Sequence, residues 1–207
     1  MRVAEITLEQ FRHAAAGPQP TPAGVTVAAV GAAFALGLLT KVVTISARRR
    51  EPAASVARLE ALAAAARTAS QRMLQLAGDD SAAFEAYLTA RRLPHATDSE
   101  REARQQAMNC AVGRAIDLPL GAAQEAAAGL QLCSEMSAAT PPALTADLGV
   151  AVSLLAGALR GFLLCADANV RQLAPDAPAY RERLAIETKR HEQALREAQA
   201  LLEPMSP

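Results

Sequence analysis

Apolar residues along the chain recur mostly at the three-to-four spacing of a helix, and the breaks between segments fall at Pro, Gly and capping residues. Thr7 followed by Gln10 reads as a capping box that opens a short helix to about Ala16. GPQPTPAG is a turn, and a long apolar helix then runs from about Pro22 to Arg49, with Pro22 in its first turn. The basic run Arg48, Arg49, Arg50 suits the negative end of that helix dipole. After Pro52, Val56, Leu59, Ala63, Ala66 and Met73 keep a helical period as far as Asp79-Asp80, and the pattern extends to Ala90 before Leu93-Pro94. Thr97 with Glu100 is a second capping box, for a helix ending near Ile116. Asp117-Leu118-Pro119 predicts a break and a new helix to about Ala139, because proline removes a helical hydrogen bond. Helices over 145–173 and 176–202 complete about seven.

Composition supports this all-α reading. Ala supplies 51 of the 207 residues and Leu 26, aromatics are 3%, and Trp is absent. A chain of this length buries enough surface to form one domain over residues 1–207 without disulfides or a structural metal. With 21 basic and 21 acidic residues there is no global field for a phosphate backbone, which argues against nucleic-acid binding. Cys110, Cys133 and Cys165 show no metal-ligand or disulfide spacing, so they read as reduced thiols packed in helices. The stretch between Arg12 and Lys41 lacks charge and is apolar enough to resemble a membrane span, yet its Ala and Gly content favours a buried central helix. Glu5 and Glu9 precede it where a signal peptide carries basic residues.

Few residues offer chemistry. Asp80, Phe84 and Tyr87 fall at i, i+4 and i+7, so a continuous helix puts a carboxylate beside two rings on one face. That face could hold a planar cation and move a proton; equally, the Asp could be an N-cap above two core aromatics. Lys41 and Arg48–Arg50 could hold an anionic tail or form a solvated helix end. Asp147 sits where a helix starts, and Asn169 lies within an apolar helix where a buried amide needs partners. His13, His95 and His191 have no metal spacing and read as surface residues.

In order along the chain, these segments resemble the cyclodeaminase/methenyltetrahydrofolate cyclohydrolase family. PTPAGVTVAAVGAA is similar to its Pro-Thr-Pro-Gly-Gly-Gly-Ser-Val-Ala-Ala signature, with Ala23-Gly24-Val25 at the triple glycine and Thr26 at the serine. ARRR falls on a Gly-Lys-Lys run, and DDSAAFEAYLTARRLP on an Asp-x-x-Ala-Phe stretch ending in Leu-Pro. TDSEREAR, IDLPL, ADLGVAV and ANVRQL follow, with Cys165 at the first of two asparagines and Asn169 at the second. The resemblance implies a cytoplasmic homodimeric enzyme, without metal or cofactor, acting on a small-molecule folate at its amidine carbon. It implies Asp80 as the acid/base group. Gly24, Thr26, Phe84, Tyr87, Asp147 and Asn169 then bind substrate, and Arg48 and Arg49 hold its glutamate tail. Two other readings remain open: the same scaffold turned to a non-folate cyclisation or deamination, and a non-catalytic helical dimer.

Overall fold

The computed structural model describes residues 3–48, 53–174 and 177–205. Among them the α-helices are α1 (Leu8–Ala15), α2 (Gly24–Ala47), α3 (Ala53–Arg91), α4 (Asp98–Ser137), α5 (Thr145–Leu173) and α6 (Pro178–Leu202), with three short 3-10 turns. Both capping boxes form: Thr7 Oγ1 accepts from the Gln10 N–H at 3.2 Å, and Thr97 Oγ1 from that of Glu100 at 3.2 Å.

Six α-helices stand where seven were expected, because α4 runs unbroken through Pro119. A proline at 119 deprives the Ala115 carbonyl of its usual i+4 donor. Asn169 on α5 supplies a replacement, its Nδ2 donating to Ala115 O at 2.7 Å. A neighbouring helix thus restores what the proline removed, and the helix continues.

Helix α2 lies at the centre, packed against α3 on one side and α5 on the other. Its Ala29, Ala32, Ala35, Leu36, Leu39 and Val42 are fully buried. By length and composition α2 and the Pro142–Leu173 segment could each cross a membrane, but about half of each is buried within the bundle. Helices α2 and α5 run antiparallel in a steady register: Gly24 meets Cys165, Gly161 meets Ala28, and Lys41 pairs with Asp147. Gly129 on α4 lets that helix close on the same core, since a Cβ there would lie 3.1–3.2 Å from methyl groups of Leu36 and Leu155. A second, smaller cluster joins α4, α5 and α6 around Ile116, Leu120 and Val170.

His13 and His95 are exposed, but His191 is buried on the inner side of α6, contrary to its reading as a surface residue. Its Nε2 lies 3.4 Å from Glu187 Oε2, and burial pushes the imidazole pKa down.

Candidate functional site

A cavity of about 240 Å³ opens where the start of α2 meets the last third of α3 and the last turns of α5. Its wall combines Ala23, Gly24 and Val25, then Asp80, Phe84 and Tyr87 from α3, Ala115 from α4, and Cys165, Asn169 and Gln172 from α5. Helix α3 runs continuously from residue 53 to 91, so Asp80 is not an N-cap. The i, i+4, i+7 spacing therefore brings carboxylate and rings to one wall. Farther along α3, the Arg91 guanidinium lies 5.8 Å from the centroid of the Tyr87 ring.

Asp80 is the only formally charged side chain among the described residues of that wall. Burial raises its pKa above the usual carboxylate range, and hydrogen bonding from Thr26 opposes the rise. Thr26 Oγ1 donates to Asp80 Oδ2 at 2.8 Å, and the Thr26 main-chain N–H also favours the charged form. That N–H belongs to the first turn of α2, whose N-cap residue, Ala23, makes no side-chain cap. Asp80 thus sits against the N-terminal turn of α2, held there by the Thr26 hydroxyl. Thr26 is fully buried and lies behind the cavity wall, so it meets the carboxylate rather than the cavity space.

Gly24 packs closely on α5, because a Cβ there would lie 2.9 Å from Cys165 Sγ and the sulfur would have to move. The Cys165 thiol pKa is raised by burial and then by the Asp80 charge, which makes the sulfur a polar wall atom rather than a thiolate nucleophile. Cys133 lies deep in the core, with its pKa pushed up to about 12 by burial.

Of the remaining residues expected at the site, Asp147 and Arg48 lie away from the cavity. Asp147 pairs with Lys41 at 2.7 Å, seventeen residues along α2 from Gly24. Arg48 lines a separate depression with Thr44, Glu60 and Arg67. At 1.5 Å per residue, Arg48 stands roughly 36 Å along α2 from Gly24, so within one chain the two do not border the same cavity. Arg49 lies outside the described residues. Sequence reasoning did not assign Cys165, Ala115 or Gln172 to the wall. Cys165 had a signal, since it occupies an asparagine position of the resembled family; Ala115 and Gln172 had none.

The chain is 29% identical over 197 residues to the methenyltetrahydrofolate cyclohydrolase of Methylorubrum extorquens, an alignment spanning 95% of this chain and 92% of that protein. It is 27% identical over 170 residues to the formimidoyltransferase-cyclodeaminase of Sus scrofa, covering 82% of this chain but only 31% of that longer protein. Its fold matches the crystal structure of formiminotetrahydrofolate cyclodeaminase from Thermotoga maritima with a TM-score of 0.83 over 98% of both chains, at 19% identity. The formiminotransferase-cyclodeaminase family model matches residues 7–190, a span that contains the whole cavity wall. The chain therefore belongs to the formiminotransferase-cyclodeaminase family.

Proposed function

We propose that the protein hydrolyses 5,10-methenyltetrahydrofolate to 10-formyltetrahydrofolate, with Asp80 as the acid/base group. One observation carries this reading: a lone, partly buried carboxylate faces a cavity walled by Phe84 and Tyr87, with no cation among its described lining residues. Such a site suits a planar ligand that carries positive charge at the reacting carbon. The Asp80 carboxylate takes a proton from water as the water oxygen bonds to the methenyl carbon. The resulting carboxyl then returns the proton to N5 as the carbon–N5 bond breaks, and the carbon-bound hydroxyl gives up its own proton to solvent, leaving the formyl group on N10. Burial raises the proton affinity of Asp80 toward that of a working acid/base catalyst.

Ala23 and Val25 narrow the wall where the resembled signature has glycines. At about 240 Å³ the cavity is smaller than the roughly 300–1,000 Å³ typical of ligand pockets. It accommodates the reacting head and leaves the tail outside. A second copy of the chain is the proposed source of tail contacts. Val27 and Phe34 of α2, with Val150, Leu154 and Leu164 of α5, form an exposed apolar face; Phe34 is 53% and Leu164 70% exposed. Pairing two such faces with α2 reversed brings the second copy's Arg48 end toward the cavity end. Phe34→Glu should convert the dimer to monomer in sedimentation equilibrium.

The deciding measurement is the loss of methenyltetrahydrofolate absorbance with purified protein, beside the Asp80→Asn variant. Loss well above the spontaneous rate that depends on Asp80 supports the reading. Loss at the spontaneous rate from a folded protein overturns it.

A further inference from the structure

Pro119 lies outside the cavity wall, yet its effect reaches the wall through two bonds. A helix normally returns the N–H of residue 119 to the carbonyl of residue 115, and proline has none to return. Ala115 lines the cavity, and its carbonyl accepts instead from Asn169 Nδ2 at 2.7 Å, across from α4 to α5. That bond settles which way the Asn169 amide faces, since only its nitrogen can donate to a carbonyl. Asn169 is itself a wall residue, and with one Nδ2 proton engaged its Oδ1 is the acceptor that this bond leaves to a ligand.

We propose that Pro119 is a positioning residue of the ligand site: by freeing the Ala115 carbonyl it fixes the Asn169 amide, so that the cavity offers an acceptor oxygen from Asn169 in addition to the Asp80 carboxylate. The ligand class this selects is a planar heterocycle with an N–H donor edge. An isostere carrying a carbonyl or ring nitrogen lone pair at that edge faces oxygen against lone pair and is rejected. Deepening the proposed function in this way rests on that reading for the identity of the ligand, but not for the orientation of the amide.

The test has two arms. Without ligand, the Asn169 side-chain NH₂ resonances in a ¹H–¹⁵N spectrum should include one proton shifted downfield by its bond to Ala115. Pro119→Ala restores a helical donor to that carbonyl and should move the proton upfield. An unmoved resonance overturns the proposal whatever the ligand is. With ligand, binding of 5,10-methenyltetrahydrofolate is measured in the Asp80→Asn background, where it is not consumed. Asn169→Ala should weaken binding about ten-fold and Pro119→Ala about three-fold. The double variant should bind no worse than Asn169→Ala alone, because Pro119 acts only through that amide. Additive losses, or full affinity in Pro119→Ala, overturn the proposal. Should Asn169→Ala fail to fold, Asn169→Ser takes its place in the cycle. If the parent protein binds no methenyltetrahydrofolate, the folate reading falls while the resonance arm still decides the amide.

Discussion

The two ends of α2 carry charge in opposite ways. At the start of the helix, Asp80 sits partly buried against Thr26 with no cation among the described residues of its cavity, and its proton affinity rises. Seventeen residues on, Asp147 meets Lys41 at 2.7 Å with both side chains substantially open to solvent. Water screens the second pair, so it contributes little beyond orientation. The first carboxylate has given up water without gaining a counter-ion, and a hydroxyl and a main-chain N–H do not fully replace what it lost. The same residue type is therefore a solvent-screened surface charge at one end and a desolvated carboxylate of raised proton affinity at the other, and burial decides which.

The harshest way to break this contrast is Asp80→Asn. Turnover should fall by at least about 100-fold, the scale of a lost general acid/base. Stability should move the other way. The folded pKa of Asp80 is raised, so its contribution to stability is present below the unfolded pKa and is lost as pH rises through the folded one. At neutral pH the charge is a burden, and a neutral amide that still accepts from Thr26 should melt at the same temperature or higher. A melt at pH 7 beside one at pH 4 checks the sign, since the native Asp80 should hold any advantage over the amide variant only on the acid side.

Thr26→Val sharpens the contrast by removing the hydroxyl alone. The carboxylate loses a donor, its pKa rises further, and the acid limb of the rate profile should move to higher pH, with about a ten-fold loss near neutrality. Thr26→Ser should restore the profile, which a packing defect would not allow. Gly24→Ala is expected to be milder. The new Cβ displaces the Cys165 sulfur into the cavity, and affinity should fall about three-fold. Cys165→Ala in the same chain should recover it. The smallest effect belongs to the far end: Asp147→Ala should change unfolding free energy by less than about 1 kcal/mol, and less still in high salt.

Much of the fold was legible because it depends on local chemistry. The Thr7 and Thr97 boxes mark helix starts, and the Ala- and Leu-rich periods mark the faces that pack. Pro119 misled because its remedy is tertiary: no local pattern says that an asparagine fifty residues later will take the orphaned carbonyl. His191 misled for a related reason, since one histidine among charged neighbours does not reveal which side of α6 turns inward. At the site, the Asp80–Phe84–Tyr87 spacing carried its own geometry once the helix was continuous. Arg48 came from its basic run and the binding role of Asp147 from family resemblance, and both signals order residues along a chain without ordering them in space. The helical rise already implied that Gly24 and Arg48 are far apart in space.

The antiparallel seam between α2 and α5 has a further consequence, for how such a chain can change over generations. Gly24 with Cys165, Ala28 with Gly161, and Lys41 with Asp147 keep an almost constant sum of positions, like two rulers laid head to tail. Deleting one residue between these pairs turns everything beyond it by about 100° and slides it 1.5 Å, which would carry the cavity wall away from Asp80. Substitutions leave that count untouched. Such a seam tolerates drift in residue identity far better than drift in length, in keeping with a fold shared over 98% of two chains that agree at only 19% of positions.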